Sequence, residues 1–200
     1  MATPRFTSVF CFFVQFAIDA GLGCILLQTS GSVLYSETMS VRHAEIADAR
    51  AICALINFYA EHDKMLFRSL AEIYENLQTF LVAELGGQIV GCCALEIIWS
   101  DLAEIKSLAV GAEERGKGIG RDLVSAAVAE ARRLGVPRVF ALTLEPGFFK
   151  RVGFAVISKG DLPMKVWSDC ARCPKQNECD EIALIRDVDG KARTRIGPDA

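Results

Sequence analysis

The sequence predicts a mixed α/β (α+β) domain, a twisted mixed sheet of about six to seven strands flanked by helices. Three observations carry this expectation. Residues 79–84 and 88–99 read as two strands joined by Leu85-Gly86-Gly87, a strong hairpin signal. Residues 104–110 form a further strand that leads into the glycine-rich run Arg115-Gly116-Lys117-Gly118-Ile119-Gly120. Behind that run, Ile119, Leu123, Ala127, Val128, Ala131 and Leu134 recur at helical spacing. Strand patterns alternating with helix patterns call for a sheet with helices packed on it.

The elements follow in order. Val41 to Ala44 reads as a short first strand. Asp48 to Ala60 reads as a helix, with Ile52, Leu55, Ile56 and Tyr59 on one stripe. Glu61-His62-Asp63-Lys64 is a polar connection, and Leu70 to Leu77 suggests a second, short helix with Ile73 and Leu77 inward. After the hairpin, Trp99-Ser100-Asp101-Leu102 turns the chain into the fourth strand. The long helix stops at Gly135-Val136-Pro137, as expected past a C-terminus. Val139 to Thr143 is the fifth strand, Glu145-Pro146-Gly147 a turn, and Phe148-Phe149 begins a short helix. Ala155 to Ser158 and Glu181 to Arg186 complete the sheet.

The 200 residues fit one domain with a full core, and the formal net charge of −3 offers no electrostatic attraction to nucleic acid. Residues 1–38 differ in character, with a mostly apolar run from Phe6 to Leu27. Three readings compete: a signal sequence or membrane anchor, an extra packed helix, or residues upstream of a natural start at Met39. Gln15 and Asp19 interrupt the run, and an Asp costs about 2.5–3.5 kcal/mol at a membrane centre. The third reading is preferred, and no membrane role is expected for residues 39–200.

The glycine-rich run has the makings of an anion site. The first N–H groups of a helix lack intrahelical partners and sit at the positive end of its dipole. Glycine permits positive φ and close backbone approach. Arg115, Lys117 and Arg121 add charge. Two better-known loops do not fit. The triphosphate loop requires Lys-Ser/Thr, whereas Lys117 precedes Gly118, and the dinucleotide fingerprint requires Gly-x-Gly-x-x-Gly.

Arg115-x-x-Gly118-x-Gly120 resembles the coenzyme A pyrophosphate loop of the Gcn5-related N-acetyltransferase (GNAT) superfamily. The likeness extends over roughly residues 40–187. Glu104 to Val110 looks like that family's fourth strand, Val139 to Thr143 like its fifth, and Phe148-Phe149-Lys150-Arg151-Val152-Gly153-Phe154 like its short helix and Gly-Phe signature. The resemblance implies the GNAT fold, splayed between strands four and five, over a domain spanning residues 39–187. It implies acetyl-CoA as donor, bound by residues 115–121, by backbone at Leu108 and Val110, and by Phe149, with Phe148 nearby. Glu104 matches the position of an acidic general base, and a strand-four N–H would hold the oxyanion. Where many relatives place a tyrosine as general acid, this chain has Phe149. A thiolate tolerates that loss, since a free cysteine thiol has a pKa of about 8.5.

The same segments, with Asp161-Leu162-Pro163, are similar to the acetyltransferase domain of N-acetylglutamate synthases, in the short stand-alone form. That implies acetylation of the L-glutamate α-amino group, for arginine biosynthesis in the cytoplasm. Two carboxylates need cationic partners, for which Lys106, Lys150 and Arg151 are candidates and Arg42 a further one. The runner-up acceptors are another small amine or a protein N-terminus. A coenzyme-binding regulatory module is the rival of a different class. A homodimer remains open.

Eight cysteines occur. Cys53, Cys92 and Cys93 fall on apolar faces and read as small core residues. Cys170-x-x-Cys173 with Cys179, in an insertion spanning residues 168–181, supplies three thiols for a structural zinc or iron–sulfur site, without an evident fourth ligand. A reduced loop is the other reading. Neither His43 nor His62 has a sequence reason to be a ligand. A flexible tail is expected over residues 188–200.

Overall fold

The strands are β1 (Ser40–His43), β2 (Phe80–Leu85), β3 (Gln88–Trp99), β4 (Leu102–Val110), β5 (Arg138–Thr143), β6 (Ala155–Val156) and β7 (Ile182–Asp187). The helices are α1 (Ala49–Ala60), α2 (Leu70–Glu75), α3 (Ile119–Arg133) and α4 (Pro146–Arg151). They are taken from a computed structural model, which describes residues 38–163, 171 and 178–189. The strands form one sheet in the order β1-β2-β3-β4-β5-β7-β6. Every neighbouring pair is antiparallel except β4 and β5, which are parallel. The apolar N-terminal extension up to residue 37, most of the cysteine-rich insertion and residues 190–200 lie outside the described residues.

Local chemistry explains the element ends. Gly86 and Gly87 both adopt positive φ, +57° and +81°, which a two-residue type I′ turn demands between Leu85 and Gln88. Ser69 accepts from the Glu72 amide while the Glu72 carboxylate accepts from the Ser69 amide, a capping box at the head of α2. At the far end of α3, Gly135 (φ +78°) donates to the Arg132 carbonyl and Val136 to the Ala131 carbonyl. This Schellman pair ends the helix where Gly135 predicted a stop.

Two faces of the sheet are covered by different helices, and side-chain alternation sorts the residues between them. On one face Leu81, Cys93, Leu95, Ile105, Val139 and Leu184 pack against the α3 stripe of Ile119, Leu123, Val124, Ala127, Val128 and Ala131. Each Leu, Ile or Val so covered contributes about 1.5–3 kcal/mol relative to exposure. On the other face Phe80, Val82, Cys92 and Ala94 pack against Ile52 and Ile56 of α1 and Ile73 of α2. Cys92 and Cys93 therefore serve opposite cores, and burial pushes the Cys92 thiol up to about 12. Further along this second face, Ile98, Leu102, Phe140, Leu162 and Ala183 make a separate cluster. Between these two patches β4 carries Glu104 and Lys106, with Glu96 facing them from β3. A charged strip thus interrupts the second face.

Several expectations need correction. β4 begins at Leu102, because Leu102 pairs with Trp99 and is buried, leaving only a two-residue turn at Ser100-Asp101. α4 begins at Pro146, whose missing N–H and fixed φ suit a first helical position. β6 stops at Val156, since the Ser158 hydroxyl caps a 3₁₀ turn. Leu134 is 46% exposed rather than part of the α3 stripe. Val188, just past β7, is only 2% exposed and belongs to the larger core, and its amide donates to the Pro137 carbonyl.

Arg42, proposed as a partner for a substrate carboxylate, is committed elsewhere. Its guanidinium bonds both Asp48 oxygens, at 2.6 and 3.1 Å, and Glu84 at 2.7 Å, tying β1 to β2 and to the head of α1. The Arg42 contact holds the Asp48 carboxyl below the usual carboxylate range.

Candidate active site

Parallel β4 and β5 share only two register pairs, Ala103–Val139 and Glu104–Phe140. Beyond Glu104 the strands have no further register pairs and form a fork. Its root is pinned by an ion pair between Asp101, in the β3–β4 turn, and Arg138, the first residue of β5 and only 3% exposed. Within the fork β4 carries a bulge. From Ala94–Lys106 to Cys92–Ala109, β3 advances two residues and β4 three, and Ser107 adopts φ +53°. A non-glycine residue there is strained. The extra residue resets the alternation: Ala103 and Ile105 face the α3 side before it, Leu108 and Val110 after it.

The end of β4 opens toward the fork. Val110 lies opposite Gly91, and Gly111 N donates to Val90 O at 2.8 Å. That pattern makes Val110–Gly91 a non-hydrogen-bonded pair, so the Val110 amide and carbonyl point away from β3, toward β5. The carbonyl is occupied: the Tyr59 hydroxyl donates to it. The amide is the group offered to the fork.

The glycine-rich run then winds into α3. Gly116 (φ +80°) and Gly118 (φ +91°) both hold left-handed backbone. Gly118 is the N-cap, and no side chain caps the helix. The Asp122 amide makes the first intrahelical bond, to the Gly118 carbonyl at 3.1 Å, so the amides of residues 119–121 have no intrahelical acceptor. Around them stand three exposed cations: Arg115, Lys117, which pairs with Glu114 at 2.8 Å, and Arg121, whose guanidinium lies beside Gly118. A Cβ on Gly120 would meet the Phe148 ring at 3.4 Å and Val110 Cγ2 at 3.8 Å. The open end of the fork, the head of α3 and Phe148 therefore converge.

Phe148 is half-buried and supplies the ring beside Gly120, whereas Phe149 is 4% exposed and sits in the larger core, edge-on to Phe148 and Phe154. Glu104 lies where the fork divides, across from Glu96. Lys106 forms an ion pair with Glu96. Lys150 and Arg151 are exposed on α4, a helix that Phe149 anchors in the core on the α3 side, while Lys106 belongs to the charged strip of the other face. Of the cysteine cluster, Cys170 and Cys173 lie outside the described residues, and Cys179 is exposed with the Lys159 ammonium 3.2 Å from its sulfur.

Sequence reasoning missed four residues here. Glu96 was one acidic residue in an apolar strand, and that interruption was a usable signal. Tyr59 read as core, although a phenol on a buried stripe needs partners. Asp101 and Arg138 carried no local signal, since they are 37 residues apart and meet only through the sheet.

Known proteins match this arrangement. Residues 42–154 match the Acetyltransferase (GNAT) family. An uncharacterised N-acetyltransferase of Chlorobaculum tepidum is 49% identical over 73% of this chain and 94% of its own length. An amino-acid acetyltransferase of Mycobacterium tuberculosis is 41% identical over 66% of this chain and 77% of its own. In three dimensions, N-acetylglutamate synthase from Neisseria gonorrhoeae, solved with coenzyme A and N-acetyl-glutamate, superposes with a TM-score of 0.69 at 29% identity. That likeness covers 76% of this chain and 35% of the larger enzyme. With its forked sheet, its uncapped glycine-rich helix head and this agreement over more than half its length, the chain belongs to the GNAT family of acetyltransferases.

Proposed function

We propose that the chain transfers the acetyl group of acetyl-CoA to the α-amino group of an amino acid, with L-glutamate as the acceptor. The fork carries the reading: its open end leads onto three helix amides without intrahelical acceptors, ringed by Arg115, Lys117 and Arg121. A donor with a diphosphate at one end and a reactive thioester at the other fits such a track. The amino-acid acetyltransferase and N-acetylglutamate synthase among its relatives support the choice of acceptor.

In this reading the main-chain amides of residues 115–121 and the three cations hold the pyrophosphate, and Leu108 and the Val110 amide bind the pantetheine arm. The acceptor ammonium loses a proton to Glu104, directly or through water. The neutral nitrogen attacks the thioester carbonyl, and a C–N bond forms. A strand-four N–H stabilises the tetrahedral oxyanion. The C–S bond then breaks as the nitrogen, positively charged since the attack, gives up its second proton, which water relays to the departing thiolate, there being no phenol at Phe149. Lys106, on the charged strip beside Glu104, receives one acceptor carboxylate; Lys150 and Arg151 lie on the α3 side, on the other face from it.

One observation favours a second reading. The charged strip holds two carboxylates, Glu96 and Glu104, against the single cation Lys106, which Glu96 already pairs. That balance suits a cationic acceptor such as a polyamine. Thiol release from acetyl-CoA, measured with a panel of amino acids and amines, separates the two. Glutamate is expected to give the fastest release. If it gives no more than glycine or spermidine, the glutamate assignment is wrong.

A further inference from the structure

Tyr59 stands out on the stripe that buries α1. The other buried members are Ala49, Ile52 and Ile56, and Tyr59 itself is only 6% exposed. A hydroxyl carried that deep must find partners. It finds two, both outside its own helix. It donates to the Val110 carbonyl, and it accepts from Arg115 Nε at 3.0 Å. The Arg115 guanidinium also lies over the Tyr59 ring, 4.8 Å from its centroid.

We infer that Tyr59 is a positioning residue for the donor's pyrophosphate, acting through Arg115. The inference rests on the proposed function and adds to it a residue outside the glycine-rich loop. With Nε directed inward, the four N–H groups on the two terminal nitrogens of Arg115 are left for an anion at the head of α3. A planar guanidinium held in one orientation suits two-point phosphate recognition. A free arginine side chain loses rotamer entropy on binding, and the bond and the ring contact remove part of it before any ligand arrives. The same hydroxyl caps the Val110 carbonyl. One buried phenol thereby fixes both ends of the turn between β4 and α3, the thioester side and the phosphate side.

A role confined to docking α1 on the sheet predicts something different, and two donors tell them apart. Acetyl-CoA carries the pyrophosphate, and S-acetylpantetheine does not. In the full-length protein, Tyr59→Phe keeps the ring and removes both hydrogen bonds. It is expected to raise the acetyl-CoA KM by about 5- to 10-fold and to lower the kcat/KM ratio between the two donors by the same factor. In the double variant with Arg115→Met, the effects should not multiply, because both substitutions remove one device. Arg115 is exposed, so Arg115→Lys tests the idea even if Tyr59→Phe folds poorly, and it should show the same donor-specific loss. Equal losses with both donors, or multiplying effects, would overturn the inference. A donor-specific loss in the Arg115 variant without one in Tyr59→Phe would sink the role of Tyr59 alone, and no donor-specific change in either would remove Arg115 from the pyrophosphate as well. A wild-type chain without any such activity would sink the proposed function itself.

Discussion

The two ends of the β4–β5 fork are built on opposite principles. At the root, Ala103, Val139 and Phe140 are fully buried, the strands are in register, and the buried Arg138 is paired with Asp101. At the open end, backbone polar groups point outward, two glycines and Ser107 hold positive φ, and cations stand exposed. The root commits its strands and its ion pair to folding, whereas the open end leaves helix-head amides without intrahelical acceptors. Under the proposed function, this is a division of labour along one pair of strands: stability where they join, and affinity where they part.

Substitutions that fail to separate the two ends would break this comparison. The largest effect is expected at the root. Arg138→Met strands the Asp101 carboxylate and should lower stability by about 3 kcal/mol, toward the low end for a broken buried pair because Asp101 keeps some access to water. Urea unfolding checks this, and the protein that remains folded should bind coenzyme A with near-normal affinity. At the open end, Gly118→Asp puts a carboxylate against the proposed anion site at φ +91°. Coenzyme A affinity by calorimetry should fall by about 100-fold or more, with a stability loss of only about 1–2 kcal/mol. A variant that binds normally would remove the glycine-rich cradle from the site.

Between the two ends, Lys106→Ala should raise the glutamate KM by about 10-fold, a charge-assisted contact's worth, and the acetyl-CoA KM much less. Steady-state kinetics with each substrate varied in turn will show it, and equal effects would take Lys106 out of the acceptor site. The smallest effect is a control remote from the fork. Asp48 has its pKa depressed in the fold by Arg42, so its stabilising contribution is present above the unfolded value near 4 and is lost as pH falls through the folded value. Unfolding free energy should therefore decline on acidification below about pH 4, by at most about 1.4 kcal/mol per pH unit from this one group. Arg42→Met should flatten that slope while leaving the kcat/KM ratio of the two donors unaltered.

Much of the fold was legible in the sequence because its signals are local. The hairpin follows from Gly86-Gly87, the α3 stop from Gly135, and the two buried stripes from helical spacing. The proposed anion site was legible for the same reason, since a strand, a glycine-rich loop and a helix head are contiguous. The acceptor side was not. Arg42 had the right charge, but its partners Asp48 and Glu84 approach from other segments, and Glu84 is 42 residues away. Lys106 sat on the expected strand, yet its pairing with Glu96 depends on strand register. Phe148 and Phe149 are adjacent and chemically identical, so only the packing of α4 decides which ring lies beside Gly120 and which enters the core.

The sequence by itself therefore determined the order and type of the strands and helices, and where a glycine-rich loop meets a helix head, because short-range sterics and periodicity govern both. The tertiary structure alone decided how far β4 and β5 stay paired, which cations are already neutralised, and that a phenol from α1 reaches the turn between β4 and α3. Those outcomes depend on groups tens of residues apart meeting in a dry interior, where each polar atom must take whatever partner the folded chain brings within reach.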